Sequence, residues 1–449
     1  MGINIYLFPK PFLCVTLYGK TFIEFVILFI QYRNKGEIEM ALKKEILIYM
    51  PWVYFGTSYE YNDLIDIFNE MRKYFNITII TIDDEGRLLG NRKQRYYEEK
   101  RNKVTFIKIA ISKKKIIYHV RSIKNFFIYF INAMNVTRSL VKVDYIFAVS
   151  TPPIVGGILG FAGKFIKKAK FIYNVEEFIP EEYVISGKVE NKLLLKLQMF
   201  IDTHSCKVAD RVIVRSNDMK LTLKKRFKDT VNIPSNVSIN KYIDTNYIYP
   251  LEKYDNGVVS FKKKYKLNNK FLVMYLGDME LYNDVSSITE TLGRFRDRND
   301  VLFLFIGNGS SRKLTEEYVS RCRLDNVIFL SISKEEILYY INAADVILIS
   351  YMKAMKGILF PWEIYMAMAA GKAIIALLDE GCDGREIIEE TSCGITIDSG
   401  DYATLYKIIR GVLEDPTLIN DMGSKGRAFV ESIDRNSIIE KYKKVILET

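Results

Sequence analysis

The stretch VLFLFIGNGSSRKL, Val301 to Leu314, combines a strand, a glycine turn and the start of a helix. The run from Val301 to Gly307 is continuously apolar, which is typical of a strand that both faces of a parallel sheet bury. Gly307 and Gly309 permit a tight turn, and helical spacing begins at Lys313. The stretch therefore predicts a strand-to-helix unit of an α/β domain.

The same alternation of apolar runs and helical spacing extends through the chain in both directions. It stops once, in a Tyr- and Asn-rich connection between Ile233 and Lys266 that the sequence predicts to be irregular. Near the end of the second half, a long helix is predicted at Thr417–Ser432. The predicted strands are Glu45–Met50, Ile77–Ile82, Val104–Ile109, Asp144–Ser150, Lys170–Val175 and Asp210–Ser216 in the first half, and Phe271–Gly277, Val301–Gly307, Val327–Ser331, Val346–Ser350, Ala373–Leu378 and Gly394–Asp398 in the second.

Two doubly wound, Rossmann-like parallel sheets in tandem, followed by a helical C-terminus, are the fold that this pattern predicts. The 449 residues suffice for two cores, because 49% of them are apolar and 27% are charged. We expect an N-terminal domain at 40–240, a C-terminal domain at 241–432, and a terminal helix at 433–449 that crosses back to the N-terminal domain. Residues 1–39 are expected to be an extension, either a wrongly assigned start or a weak membrane-associated segment.

Cysteine and histidine are too few and too scattered for several kinds of site. The cysteines form no C-x-x-C pair and are odd in number, so neither a disulfide framework nor a zinc ribbon is indicated, and a reducing cytoplasm fits best. His119 and His204 are the only histidines, which argues against a His-based metal site or triad. A general base must then be a carboxylate or the substrate itself. The five cysteines are Cys14, Cys206, Cys322, Cys382 and Cys393.

Basic residues concentrate in one segment, Lys100–Lys142. It contains eleven Lys or Arg residues and no Asp or Glu, which matches the formal net charge of +11. Its basic residues interleave with Ile, Tyr and Phe, a composition that suits an anionic membrane surface. A solvated loop followed by an ordinary amphipathic helix explains the segment equally well. Nucleic acid is not predicted as a partner, because no nucleic-acid-binding motif accompanies the charge.

Nine motifs follow one another along the chain. They are STPPIVGGILG (Ser150–Gly160), NVEEFIPEE (Asn174–Glu182), KVADRVIVRSNDMK (Lys207–Lys220), YLGDMELYND (Tyr275–Asp284), LFIGNGSSRKL (Leu304–Leu314), LDNVIFL (Leu324–Leu330), NAADVILIS (Asn342–Ser350), MAAGKAIIA (Met368–Ala376) and GREIIEETSCGITI (Gly384–Ile397). In this order and spacing they resemble the motifs of GT-B glycosyltransferases of family four, in the branch that assembles surface polysaccharides and lipid-linked glycans. The resemblance covers roughly Lys44 to Leu447.

The resemblance implies a nucleotide-sugar donor in the cleft between the two domains, where ligands of such sheets bind. It assigns the donor to the loops of Gly277, Gly307, Asn308 and Gly309, with base contacts near Ser331 and an N-terminal glycine loop at Gly56. A role that is limited to ending a strand explains each of Gly277, Gly307 and Gly309 equally well. Backbone amides of Ile358, Leu359 and Phe360, before a helix, are expected to receive the diphosphate, since helix N-termini favour anions.

The sequence departs from the family pattern in FPWEIYMAMAAGK, Phe360–Lys372. The family places a glutamate that binds the donor ribose where this chain has Met366, and its paired acidic residue falls on Ile358. Glu363 lies one turn earlier on a similar helix face. It is our candidate for the ribose contact, with a favourable first-turn charge as the alternative.

Two further positions bear on chemistry. The basic residues that usually meet the donor phosphates are absent from DMELYND, which instead offers Asp278, Glu280 and Asp284. These carboxylates would repel a diphosphate unless a divalent cation or a distant lysine compensates. Glu177 occupies a position where the family often has Asp, and we expect it to orient acceptor or donor hydroxyls.

The resemblance implies a glycosyltransferase, with retention at the anomeric carbon, that extends a lipid-linked oligosaccharide at the inner face of the plasma membrane. We expect no tightly bound cofactor and no resident metal, and the use of a divalent cation stays open. One alternative is a catalytically degenerate GT-B protein that binds a partner transferase or a glycan, which Met366, Ile358 and the acidic loop favour. A nucleotide-sugar epimerase is a lesser alternative, since histidines are few.

Overall fold

Two separate parallel sheets organise the computed structural model. It describes residues 16–17, 20–21, 43–51, 59–83, 95–111, 123–152, 154–188, 191–227, 235–239, 242–331, 336–419 and 421–449. A short antiparallel ribbon pairs Thr16–Leu17 with Lys20–Thr21. The prediction of two doubly wound, Rossmann-like α/β sheets is confirmed.

The N-terminal sheet has eight strands in the order β8-β7-β6-β5-β1-β2-β4-β3. All neighbouring strands run parallel except β3 and β4, which form an antiparallel hairpin at one edge. The strands are β1 (Lys44–Tyr49), β2 (Phe75–Ile82), β3 (Tyr96–Arg101), β4 (Val104–Ile109), β5 (Tyr145–Val149), β6 (Lys170–Val175), β7 (Arg211–Val214) and β8 (Ser235–Ser238).

Helices cover both faces of this sheet because successive strand residues point to opposite sides. In β1, Leu47 and Tyr49 belong to one buried cluster, whereas Ile46 and Ile48 belong to another. Helices α2, α3, α5 and α6 contribute to the first cluster, and α1 contributes to the second. The helices are α1 (Tyr59–Met71), α2 (Ile123–Ser139), α3 (Val155–Lys167), α4 (Ile179–Ile185), α5 (Lys192–Val208) and α6 (Asn217–Arg226).

The C-terminal sheet has six parallel strands in the order β11-β10-β9-β12-β13-β14. The strands are β9 (Phe271–Leu276), β10 (Val301–Ile306), β11 (Val327–Leu330), β12 (Val346–Ser350), β13 (Ala373–Leu377) and β14 (Gly394–Ile397). The helices are α7 (Asn256–Lys264), α8 (Val285–Leu292), α9 (Arg312–Cys322), α10 (Ile337–Ala343), α11 (Glu363–Ala369), α12 (Asp383–Thr391), α13 (Tyr402–Glu414), α14 (Met422–Ser432) and α15 (Arg435–Leu447).

The last helix, α15, packs on the N-terminal sheet rather than on the domain that precedes it. Its residues Ile438, Ile439 and Tyr442 join the cluster of β1 and α1. The Arg215 guanidinium of the N-terminal domain donates a hydrogen bond to the Tyr442 hydroxyl oxygen at 2.9 Å. The chain thus crosses between the two domains a second time.

Two secondary-structure predictions were wrong, and two elements were not predicted. The connection Ile233–Lys266 is not irregular throughout, since it contains β8 and α7. The antiparallel strand β3 and the short helix α4 were not predicted, and both lie where polar residues obscure the apolar pattern. The predicted helix Thr417–Ser432 is a 3-10 turn, Pro416–Ile419, followed by α14.

The basic segment Lys100–Lys142 is not one solvent-facing surface. Its first part forms the β3–β4 hairpin, in which Lys108 is fully buried with its ammonium 3.4 Å from Glu99. Helix α2 forms its last part, and residues 112–122 lie outside the described residues. A role at a membrane therefore stays a prediction for the remaining basic residues. No helix in the described part of the chain is long and apolar enough to cross a membrane.

Candidate functional site

The carboxyl ends of β9 and β12 mark the candidate site in the C-terminal domain. The chain leaves β9 toward β10 on one side and later returns to β12 on the other, so this strand pair is the switch point of the sheet. In open α/β sheets, ligands bind in the crevice outside such a point. Gly277 follows β9 and Tyr351 follows β12, which places both at its edge.

The N-terminal domain faces this edge. The Phe178 amide donates a hydrogen bond to the carbonyl oxygen of Ile358 at 2.8 Å. Lys188, after α4, reaches Glu280 of the β9 loop with an N–O distance of 2.5 Å. Elements that follow strand β6 thus meet the loops that follow β9 and β12, and the site lies between the domains.

The predicted glycines mainly allow two loops to touch. A Cβ atom on Gly307 would lie 1.8 Å from the Gly277 carbonyl oxygen, and one on Gly309 would lie 2.4 Å from the Met279 carbonyl oxygen. The Met279 amide donates to the carbonyl oxygen of Asn308 at 2.9 Å. Close packing between the β9 and β10 loops therefore explains Gly307 and Gly309, and a donor contact at these two positions stays a prediction.

Glu363 lies directly beside Gly277. A Cβ atom on Gly277 would lie 2.7 Å from the Glu363 Oε1 atom, and the Tyr351 hydroxyl donates to Oε2 at 3.2 Å. Glu363 is only 5% exposed. The structure thus brings the predicted carboxylate to the switch point, between the ends of β9 and β12.

Met366 does not share this location. Its side chain is 1% exposed and belongs to the large apolar cluster of the two domains. The sequence placed Met366 among the donor-binding residues because of its alignment with the family glutamate. In the structure Met366 is a core residue, because the helix that carries it, α11, is buried on all sides.

The loop before α11 carries the three backbone amides that were expected to receive the diphosphate. The Ile358 amide donates to the Met355 carbonyl oxygen at 3.0 Å, so it already has an acceptor within the protein, and its anion-binding role stays a prediction. The side chains of Ile358 and Phe360 are buried. Among the described residues, no protein acceptor within hydrogen-bond distance pairs with the amides of Leu359 and Phe360.

The acidic β9 loop has a compensating cation from the other domain. Lys188 contacts Glu280 and lies 3.6 Å from Glu182, while Ser310 donates a hydrogen bond to Glu280 at 2.6 Å. Burial disfavours the charged ammonium, but the hydrogen bond to Glu280 and the charge of Glu182 outweigh it and raise the pKa of Lys188. Asp284 instead accepts hydrogen bonds from the Tyr402 and Ser287 hydroxyls.

Lys188 is a residue that sequence reasoning missed. It precedes Glu280 by 92 positions, and no motif connects them. Arg312 was also missed. Its guanidinium donates to the Gly307 carbonyl oxygen at 2.6 Å and to Asn308 Oδ1 at 3.1 Å, so it lies at the ends of β10 and β11.

Aromatic side chains complete the interdomain surface. Tyr282 and Tyr351 stack with ring centroids 5.9 Å apart, and the Lys188 ammonium lies 5.7 Å from the Tyr282 ring centroid. Burial raises the pKa of Tyr282 well above its ordinary value, and the nearby Asp278 and Glu177 carboxylates add to the effect. Glu177 therefore lies on the cleft side of the N-terminal domain, close to the acidic loop.

The remaining predicted residues lie apart from this group or outside the description. Gly56 lies outside the described residues, as do the residues that follow Ser331, at 332–335. Ser331 itself is exposed after β11. Within the described ranges, no group of three or more His, Cys, Asp or Glu side chains is arranged to hold a metal ion.

Carboxylates join the domains at one side of the cleft. Asp383, at the start of α12, accepts hydrogen bonds from the amides of Asn217 and Asp218 at 2.6 and 3.0 Å. Asp218 in turn accepts from the Gly357 amide at 3.1 Å. Burial raises the pKa of Asp218, and the Asp383 charge adds to this rise despite a hydrogen bond from Ser216.

Comparison with known proteins identifies the architecture. Sucrose-phosphate synthase from Thermosynechococcus elongatus superposes with a TM-score of 0.70 at 17% identity, covering 90% of this chain and 99% of that one. HepE from Anabaena, in complex with UDP-glucose, gives a TM-score of 0.67 at 15% identity, covering 90% and 100%. With its two facing parallel sheets, the protein has the GT-B fold of glycosyltransferases.

Sequence comparison adds the domain family. Residues 259–429 match the family model of glycosyl transferases group 1. The chain is also 22% identical over 311 residues to the probable glycosyltransferase WbjE from Pseudomonas aeruginosa. The aligned region covers 66% of this chain and 72% of WbjE. Residues 259–429 are therefore similar to the group 1 glycosyltransferase domain, and this stretch contains Gly277, Glu280 and Glu363.

Proposed function

We propose that this protein transfers a sugar from a nucleoside-diphosphate-sugar donor to a hydroxyl group of an acceptor. The observation that carries the proposal is the group 1 glycosyltransferase domain at 259–429, whose switch point opens onto the interdomain cleft. A uridine diphosphate donor is the first candidate, because HepE was solved with UDP-glucose. The C-terminal domain binds the donor, and the N-terminal domain binds the acceptor.

In this reaction the bond between the anomeric carbon and a diphosphate oxygen breaks, and a bond from the acceptor oxygen to that carbon forms. We propose retention at this carbon, as the sequence resemblance implies. The acceptor proton passes to a carboxylate or to the departing diphosphate. The protein has to stabilise charge on the leaving group, position the acceptor and exclude water.

The described residues supply groups for the first two tasks. The Leu359 and Phe360 amides are proposed to donate to the diphosphate, and Lys188 to exchange its Glu280 contact for a phosphate oxygen. Glu363, beside Gly277, is proposed to accept hydrogen bonds from the donor ribose. Glu177 is proposed to orient acceptor or donor hydroxyls from the opposite domain.

The proposed acceptor is a lipid-linked oligosaccharide in surface-glycan assembly, and the proposed location is the inner face of the plasma membrane. This follows the family branch that the motifs resemble. A second candidate function is a partner-binding GT-B protein without catalysis. The burial of Met366 in the core and the acidic β9 loop favour it, because both remove groups that would bind a donor.

Calorimetric titration of the full chain with UDP-, GDP-, ADP- and dTDP-sugars, with and without Mg²⁺, tests the proposal. We expect one donor to bind, and Lys188→Met to weaken it about tenfold, equivalent to about 1.4 kcal/mol, since a cation near the diphosphate is lost. Glu363→Gln should weaken binding similarly if Glu363 accepts from the ribose. Lys407→Met and Glu390→Gln change exposed residues of α13 and α12 that have no proposed role at the cleft, and they serve as matched controls.

The outcomes separate the two functions. Binding of one donor followed by transfer to an acceptor supports a transferase. If folded protein binds no donor, the partner-binding function replaces the proposal. If a donor binds with unchanged affinity to Glu363→Gln, the ribose contact is removed from the site while the function stands.

A further inference from the structure

Large apolar side chains are exposed on two neighbouring helices of the N-terminal domain, α3 and α5. Leu193 is 77% exposed, Phe200 is 68% exposed and Phe165 is 63% exposed, and Leu194 and Leu197 are each more than half exposed. Single exposed apolar residues are normal, but a contiguous group marks an interaction site. We call these five residues the α3–α5 face.

The spacing on α5 aligns the exposed residues along one stripe. Leu193, Leu197 and Phe200 are four and three positions apart, so they project from the same side of the helix. The stripe continues onto α3 through His204, whose ring lies 6.1 Å from that of Phe200 and 5.6 Å from that of Phe161. Phe161 in turn contacts Phe165, with centroids 4.9 Å apart. The apolar surface is therefore continuous across both helices.

The charge on helices α2, α3 and α5 is mainly positive. Helices α2, α3 and α5 together contain seven Lys or Arg residues and a single acidic residue, Asp202. Asp202 is 5% exposed, and its carboxylate pairs with Arg226 at 2.5 Å, so it adds no negative charge to the surface. The exposed cations near the face are Lys192, Lys196 and Lys207 on α5, and Lys168, which directly follows α3.

The face begins at the rim of the cleft. Lys188, which contacts Glu280 across the cleft, precedes Leu193 by only five positions. Asn191 caps α5 by accepting hydrogen bonds from the Leu193 and Leu194 amides at 2.9 and 3.1 Å, which fixes the start of the helix there. A molecule whose apolar end rests on this face can thus place its polar end in the cleft.

We propose that the α3–α5 face docks on a bilayer of anionic phospholipid. Exposed leucine and phenylalanine enter the acyl boundary, while the surrounding lysines meet anionic headgroups. A second copy of this chain fits worse, because it would bring two sets of lysines together. The inference rests on the proposed function in one respect: it explains how a lipid-linked acceptor reaches the cleft.

Vesicle sedimentation with the full chain tests the docking surface. We expect the protein to bind vesicles of phosphatidylcholine with phosphatidylglycerol, to bind pure phosphatidylcholine much less, and to dissociate as salt rises. The double variant Leu197→Glu with Phe200→Glu should reduce binding at least about tenfold. Leu314→Glu, at a 63% exposed position on α9 of the other domain, is the matched control and should leave binding unchanged.

Three results would overturn the inference. The first is wild-type protein that binds no anionic vesicle, and the second is vesicle binding that the double variant does not reduce. The third is a dimer in light scattering that the double variant converts to a monomer, because a second copy would then cover the face. The donor affinity of the double variant, measured by titration without vesicles, should equal that of the wild type. A loss of vesicle binding with unchanged donor affinity is thereby distinguished from failure of the proposed transferase function.

Discussion

Gly277 lies where a single methyl group would disturb the candidate site. Its φ is +136°, a conformation that L residues with side chains rarely adopt, and an added Cβ would lie 2.7 Å from Glu363 Oε1. We expect Gly277→Ala to lower the free energy of unfolding by about 3 kcal/mol, from backbone strain and from the clash with a buried carboxylate. Urea unfolding measures this loss.

Gly400 offers the matched control for this substitution. It also has a positive φ, +85°, but no atom lies within 4 Å of the position that an added Cβ atom would occupy. Gly400→Ala should therefore cost only the backbone strain, about 1 kcal/mol. Equal losses in both variants would show that Glu363 moves away from the added methyl group without cost.

Lys188 and Glu363 show what single residues reveal in a sequence and what they do not. Glu363 was found because it stands one helical turn from a family position, and helical spacing is visible in one chain. Lys188 was not found, because its contact with Glu280 depends on how two domains face each other. The sequence thus allowed for a distant lysine that compensates the acidic loop, but it did not identify Lys188 as that residue.

At the scale of elements, the C-terminal helix α15 depends on a buried polar contact. The Arg215 side chain is 2% exposed; its Nη1 atom donates to Tyr442 at 2.9 Å and its Nε atom to Glu176 at 2.6 Å. Tyr442→Phe removes an acceptor from this buried guanidinium. We expect the free energy of unfolding to fall by about 2 kcal/mol.

Tyr254→Phe removes the same hydroxyl group from an 85% exposed side chain and should change stability by less than about 0.5 kcal/mol. Urea unfolding of both variants gives the comparison. A loss in Tyr442→Phe as small as in the control would mean that α15 is held by its apolar contacts alone.

Strands in the middle of the two sheets, and both edge strands of the C-terminal sheet, could be predicted from the sequence, whereas the two edge strands of the N-terminal sheet could not. Central strands such as β9, with FLVMYL, are buried on both faces and form unbroken apolar runs. The edge strands β3, with YYEEKR, and β8, with SNVS, have no such run, because solvent reaches part of their surface. Each is instead defined by its pairing. Strand β3 pairs with β4 across a tight turn, and β8 pairs with β7, although helix α6 lies between β7 and β8 in the sequence.

At the scale of the whole molecule, the sequence predicted a cleft but not the contacts that set its width. Gly357, with φ of +73°, donates its amide to Asp218, and the Phe178 amide donates to the Ile358 carbonyl oxygen. These contacts use backbone groups of the loop that was expected to bind the diphosphate. Such groups carry no side-chain signature, so only the structure shows that part of the loop holds the domains together.

Asp383 provides the sharpest test of this interdomain connection, because it caps a helix that belongs to the other domain. Its carboxylate accepts from the Asn217 and Asp218 amides at the start of α6. Asp401 plays the same role within one domain, where it accepts from the Thr404 amide at 3.0 Å at the start of α13. Replacing either by alanine should cost about 1 kcal/mol of stability, as loss of a helix cap usually does.

Only Asp383→Ala should also change the relation between the domains. We expect its radius of gyration in small-angle X-ray scattering to exceed that of the wild type, while Asp401→Ala matches the wild type, since its cap lies inside one domain. The Lys188–Glu280 pair remains in both variants, so the domains should loosen rather than separate. An unchanged radius in Asp383→Ala, together with the expected loss of stability, would show that the cap holds α6 in place but does not set the width of the cleft.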